Sequence, residues 1–175
     1  MTEQAGRLTF RPMDEAGARV VLAWHYPAPY GIYNTPPEQV DDDVGVLTDP
    51  VNHYYLIDEG EAKVPVAYCC YGADARVQGG DYSAEAVDVG LGVRPDLTGQ
   101  RRGDEFVAAV LEHGRRVFDP AVWRVTIARF NVRAQRVWEK AGFRHVQEFE
   151  RQMDGMPFVV LARIAGNPAG MAKEL

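Results

Sequence analysis

Serine is almost missing from this chain of 175 residues: Ser83 stands alone. No G-x-S-x-G turn surrounds it, which excludes a serine hydrolase built on a nucleophile elbow. No G-x-x-x-x-G-K-[ST] segment is present either, which excludes the phosphate loop of P-loop nucleotide hydrolases. Lysine is scarce, with Lys63, Lys140 and Lys173 against 16 arginines. That bias favours bidentate contacts to phosphate or carboxylate, or else reflects genomic composition. The only cysteines, Cys69 and Cys70, are adjacent. Strand alternation would point them to opposite faces, so neither a disulfide framework nor a zinc site is expected, and a reducing, cytoplasmic setting fits. His25, His53, His113 and His145 contain no i, i+3 or i, i+4 pair that could chelate, and no metal is expected. No apolar run approaches the ~20 residues that span a bilayer, and no signal-peptide core opens the chain, so no membrane partner is expected.

What is present is ordinary for a soluble globular domain, with 46% hydrophobic and 25% charged residues. A single domain over residues 1–164 with a tail at 165–175 is the expectation. The net charge of −6 argues against a nucleic-acid partner. It conceals a split: residues 1–93 carry 5 basic and 15 acidic side chains, whereas residues 94–175 carry 14 and 10. The two halves should face different partners.

Hydrophobic periodicity gives the element order β-α-α-β-β-β-α-β-α-β-β, an α/β (α+β) domain around a central mixed, twisted sheet of about seven strands with flanking helices. Leu8 and Phe10 mark a first strand, and Asp14 caps a helix reaching about Ala23. Residues 24–34 hold four aromatic rings and two prolines, a loop that is either a hydrophobic plug or one wall of a pocket. A helix follows from Pro36 to about Leu47, with Asp41, Asp42 and Asp43 as its solvated face. Residues 53–58 and 63–71 read as a hairpin, with Pro65 at a strand start or edge. In a strand over 84–93, Val87, Val89, Leu91 and Val93 share an apolar face, leaving Asp88, Gly90 and Gly92 on the other. A helix after Gly103 ends at Asp119-Pro120, and a strand at 122–128 makes a right-handed crossover with the preceding strand. A helix at 132–141 and two strands at 144–152 and 157–164 around Asp154-Gly155 complete the order.

The chemistry concentrates between residues 88 and 106, where a strand passes into a helix through Gly99-Gln100-Arg101-Arg102-Gly103. A helix N-terminus offers unpaired N–H groups and partial positive charge, so with arginines beside it this junction reads as a pyrophosphate cradle. The competing reading is a solvated basic turn. The absence of G-x-G-x-x-G excludes the dinucleotide fingerprint.

The run Val87–Pro95 followed by Gly99–Gly103 resembles the acyl-CoA motif of the GNAT superfamily of N-acetyltransferases, whose loop reads Gln/Arg-x-x-Gly-x-Gly/Ala. Asn131-Val132-Arg133-Ala134-Gln135-Arg136-Val137-Trp138-Glu139-Lys140-Ala141-Gly142-Phe143 resembles its second motif, and the likeness covers residues 7–164. It implies acetyl-CoA as co-substrate and direct transfer of the acetyl group to a primary amine, small molecule or peptide. It also implies that the Leu91, Gly92 and Val93 backbone pairs with the pantetheine arm, one amide serving as oxyanion donor. Gln100, Arg101, Arg102, Gly103 and Asp104 would surround the pyrophosphate, with Asn131 and Trp138 on the cofactor arm.

For the base that deprotonates the amine, Asp88 is the first choice and Glu85 the second, acting through water. The competing reading of Asp88 is a strand carboxylate paired with an arginine. Tyr26, Tyr30 and Tyr33 would line the amine site, whose acidic surroundings favour a cation. The chain departs from the family pattern at two places. Glu105 stands where the family has Gly or Ala, and with Asp104 would repel a pyrophosphate by about 0.3–1 kcal/mol. Trp138 replaces the tyrosine that protonates the leaving thiolate, leaving water or another tyrosine, Tyr30, Tyr33 or Tyr82, to supply the proton. These departures keep open a non-catalytic acyl-CoA-binding or interaction module; a nucleotide-binding α/β domain is a third reading. A homodimer contact could come from the C-terminal hairpin.

Overall fold

The computed structural model describes residues 7–61 and 63–166. The strands are β1 (Leu8–Pro12), β2 (Tyr54–Glu59), β3 (Pro65–Tyr71), β4 (Val87–Val93), β5 (Val122–Ala128), β6 (Arg144–Glu150) and β7 (Pro157–Ile164). The helices are α1 (Glu15–Leu22), α2 (Val40–Thr48), α3 (Gly103–Phe118) and α4 (Val132–Lys140). The seven strands run in the order β1-β2-β3-β4-β5-β7-β6. The sheet is mixed: β4 and β5 are parallel, whereas β1–β2, β2–β3, β5–β7 and β6–β7 are antiparallel. The expected class and order are thus present, and Pro65 opens β3 as its missing N–H requires. Most of the proposed tail, from residue 167 onward, lies outside the described residues.

The described residues form two compact units, one within residues 7–70 with 91–100 and the other within residues 71–90 with 101–166. In the first, the Asp14 carboxylate accepts from Gly17 N at 2.7 Å and starts α1, as its residue type dictates. Ala18, Val21, Val44, Leu47 and Leu56 form the core, with Trp24, Tyr54 and Tyr68 packed against it. Burying such aliphatic side chains stabilises by roughly 1.5–3 kcal/mol each. In the second unit, α3 buries Phe106, Val107, Val110 and Leu111. Tyr71 packs on Phe118 and Trp123 and satisfies its hydroxyl at the Val110 carbonyl, 2.8 Å away.

Two expectations need correction. β4 begins at Val87, not residue 84, and it is not half-solvated: Asp88 and Val89, on opposite faces, are both 1% exposed. Alternation of apolar residues signals one buried face, but a charge can be buried on the other when an ion pair satisfies it. The acidic start of α2 is also not uniformly solvated, because Asp43 is half-buried beside the buried Val44.

Candidate active site

In the first unit the aromatic loop is folded on an amide clasp. Asn34 Oδ1 accepts from Tyr26 N at 2.7 Å and Asn34 Nδ2 donates to Tyr26 O at 3.0 Å. The Tyr26 hydroxyl then donates to the Val93 carbonyl, 2.9 Å away at the end of β4. Tyr33 meets Tyr26 edge to face at 6.2 Å. The structure therefore brings Tyr26 and Tyr33 to the end of β4, while Tyr30 is half-buried in the single turn Tyr30–Tyr33. Burial raises the Tyr26 phenol above its ordinary value.

The half-buried segment Leu91–Val93 lies against Tyr68 of β3. A Cβ added to Gly92 would stand 2.3 Å from the Tyr68 ring, so only glycine permits this approach. Burial pushes the Tyr68 phenol up to about 12, with the neighbouring Cys70, Asp43 and Tyr33 acting in the same direction. Asp43 thus places a carboxylate near Tyr68, and Asp41 of the same helix pairs with Arg19 at 3.0 Å. Sequence reasoning passed over both Tyr68 and Asp43. The signal for Asp43 was available, three residues after half-buried Val40 and beside buried Val44, at the margin of the helix's apolar stripe. After β4, the exposed Gln100 donates its side-chain amide to the Asp96 carbonyl at 2.6 Å.

In the second unit, α3 starts without a side-chain cap, leaving its first-turn N–H groups available. Directly ahead of it Arg101 is exposed, adopts φ 61°, and has no hydrogen-bond or ion-pair partner among the described residues. The neighbouring charges are spoken for: Arg102 Nε donates to Glu105 at 2.9 Å and Lys140 donates to Asp104 at 2.7 Å. These pairs offset the two carboxylates that the sequence placed against a phosphate, but they also occupy Arg102. Gly103 has a packing reason to be glycine, since its Cβ would meet Val137 of α4 at 2.8 Å.

Two sequence assignments change, those of Trp138 and Asp88, while Asn131 gains a structural role. Trp138 is 4% exposed and packs edge to face on Phe143 at 4.9 Å, so it is a core residue and not a cofactor contact. Asn131 caps α4, its side-chain oxygen accepting from Ala134 N at 3.1 Å. Asp88 is a structural anion: Oδ1 accepts from Arg124 Nε at 2.6 Å, and Oδ2 accepts from Arg124 Nη2 at 2.8 Å and Arg76 Nε at 2.7 Å. Three of its roughly four lone-pair sites are taken by guanidinium N–H groups and the residue is 1% exposed, so it is poorly placed to take a proton from an amine. Tyr82 belongs to the same cluster. Its ring lies under both arginines, at 4.9 Å from Arg124 and 5.4 Å from Arg76, and its hydroxyl bonds Thr126 at 2.9 Å. Glu85 is exposed ahead of β4, six residues before Leu91. That is about 20 Å of extended chain, too far for a base at the end of β4.

Among the described residues no group of three or more His, Cys, Asp or Glu could hold a metal ion, and no helix is long and apolar enough to cross a membrane. Cys69 and Cys70 are buried and not joined in a disulfide.

Comparison with known proteins bears on this arrangement. Solved structures with the same fold include a chimera of the spermidine N-acetyltransferase SpeG of Vibrio cholerae and hSSAT, with TM-score 0.70 and 13% identity over 90% of this chain and 95% of that one. Another is the aminoglycoside N(6')-acetyltransferase of Legionella pneumophila, with TM-score 0.65 and 20% identity over 94% of each chain. A third, YncA of Salmonella typhimurium, is described as an acetyltransferase and was solved with its cofactor acetyl-CoA. It gives TM-score 0.59 and 14% identity over 93% of this chain and 98% of that one. No curated protein matches the sequence significantly. The family model for the GNAT acetyltransferase domain matches residues 7–144, which carry both motifs and the clasped aromatic loop, and the chain accordingly belongs to the GNAT acetyltransferase family.

Proposed function

We propose that the chain moves an acetyl group from acetyl-CoA to a primary amine by direct attack of the neutral amine on the thioester. The observation that carries this reading is Arg101, without a partner among the described residues, immediately ahead of the uncapped N-terminus of a 16-residue helix, α3. Those donors fit a pyrophosphate: backbone N–H groups and helix dipole for the oxygens, and one guanidinium for charge. Arg102 and Gln100 contribute less than the sequence suggested, since each is already engaged. The Leu91–Val93 backbone would lie along the pantetheine arm as a neighbouring strand does, one amide polarising the carbonyl.

The acceptor in this proposal is a cationic amine. Asp43 and the rings of Tyr26 and Tyr33 would hold its ammonium groups, by charge and by attraction to the ring faces. Neighbours named for spermidine and aminoglycoside acetylation agree with such an acceptor. No side chain is assigned as base, because Asp88 is committed and Glu85 is remote; water takes the amine proton.

Turnover of acetyl-CoA against a panel of polyamines, aminoglycosides and neutral amines tests the reading, with thermal shift by CoA measured in parallel. Cationic acceptors should be preferred by at least tenfold. Stabilisation by CoA without turnover of any amine would favour the binding-module reading, which the structural roles of Asp88 and Trp138 keep in view. Indifference to CoA would overturn both.

A further inference from the structure

We propose that the Tyr68 hydroxyl is a catalytic hydrogen-bond donor to the thioester oxygen during acetyl transfer, a role that rests on the acetyl-CoA reading above. Tyr68 is on β3, and its ring packs on the β4 backbone at Gly92, where no side chain intervenes. A Cβ on Gly92 would stand 2.3 Å from Cε1, 2.6 Å from Cζ and 2.9 Å from the hydroxyl oxygen. The ring is held in place by Trp24, 5.9 Å away, and stacks on Tyr54 at 6.4 Å.

Its hydroxyl is nevertheless unspent. Tyr26 gives its own O–H to the Val93 carbonyl and Tyr71 gives its to Val110, whereas Tyr68 makes no hydrogen bond to any described residue. The residue is half-buried and its hydroxyl is not sealed from solvent, so the donor is open to a ligand oxygen. An O–H with no partner, beside the strand end that would carry the thioester, has the chemistry of a donor waiting for an oxygen that becomes negative.

The step balances without Tyr68 losing its proton. The amine nitrogen bonds to the carbonyl carbon, the C=O π pair moves to oxygen, and the Tyr68 O–H hydrogen-bonds that oxyanion. Collapse restores C=O, breaks the C–S bond and releases thiolate, while water takes the proton shed by nitrogen. A phenol is a weaker acid than a thiol, about 10 against about 8.5, so donation of a hydrogen bond suits Tyr68 better than outright protonation of sulfur. Burial shifts the phenol further in that direction and keeps it protonated through the neutral range.

Tyr68→Phe keeps the ring on Gly92 and deletes only the donor. The first readout needs no turnover: acetonyl-CoA, a ketone that cannot transfer its acyl group, is bound and its carbonyl stretch recorded by infrared difference spectroscopy. The stretch should lie at lower frequency in the wild type than in Tyr68→Phe. Equal affinity and an unchanged melting temperature would show that the ring still packs. The second readout is kcat, expected to fall about 10²-fold with KM for both substrates within twofold. An identical carbonyl frequency in the two proteins, or an unchanged kcat, overturns the role of Tyr68 and leaves the acetyl-CoA reading intact. Failure of the wild type to bind acetonyl-CoA or CoA overturns both.

Discussion

Asp88 receives Arg124 side-on, Nε to Oδ1 at 2.6 Å and Nη2 to Oδ2 at 2.8 Å, with both residues under 5% exposed. The pair sits where parallel strands β4 and β5 register, Asp88 opposite Arg124. It ties the two strands together with charge as well as backbone. Removing one partner strands a buried guanidinium, so Asp88→Asn should cost about 3–5 kcal/mol. Urea unfolding measures that loss. Among molecules that remain folded, kcat should stay within threefold; a selective collapse of kcat at full stability would restore Asp88 as a base.

Gly92→Ala drives a methyl into the Tyr68 ring and should destabilise by about 1–3 kcal/mol. The origin of the cost is specific, because the nearest atoms are those of Tyr68 alone. A double-mutant cycle with Tyr68→Leu should therefore show strong non-additivity, the smaller side chain recovering part of the loss. Additive melting-temperature shifts would argue against the contact.

How much of this was legible in the sequence follows from the range of the interactions involved. The strands at 122–128 and 157–164 are local, set by apolar runs and by the turn at Asp154-Gly155, and they form at the positions read from the sequence. The Asp14 cap acts across only a few residues, and it too was legible. The burial of Asp88 depends on an arginine 36 residues away, and periodicity contains no such term. Tyr68 lies in an apolar run that reads simply as core, and its closeness to Gly92 is a product of strand order. Trp138 occupies a motif position, but its burial against Phe143 is decided by packing.

Glu105→Gln should release Arg102 from its 2.9 Å pair and remove one carboxylate from the first turn of α3. Acetyl-CoA affinity should rise about two- to fivefold at low ionic strength, matching the 0.3–1 kcal/mol of a helix-terminal charge. Calorimetry at 20 mM and 300 mM salt checks this, since the gain should shrink as screening increases.

Stability should fall as pH rises from 10 to 12. The Tyr68 phenol titrates near 10 when unfolded and at about 12 in the fold, so over that window the folded state holds the extra proton. The contribution is fully present below pH 10 and is lost by pH 12, amounting to roughly 3 kcal/mol. Tyr26 and Tyr55, also raised by burial, act with the same sign. The contribution of Tyr68 is therefore read as the difference between wild type and Tyr68→Phe in denaturant midpoints at pH 9 and pH 12.

Asp43→Asn should raise KM for polycationic acceptors about five- to tenfold while leaving KM for a neutral amine within twofold. The asymmetry distinguishes an electrostatic anchor from a helix-packing residue, whose loss would affect every acceptor alike. Initial rates at matched ionic strength provide the measurement.

The double hydrogen bond from Asn34 to the main chain of Tyr26 gives the loop at residues 26–34 a shape written from within. A segment that carries its own brace can change sequence between its fixed ends without the surrounding strands having to repack. Divergence among relatives in the amine they accept would then collect between these two residues, where substitution of a ring alters what is recognised and spares the frame that presents it.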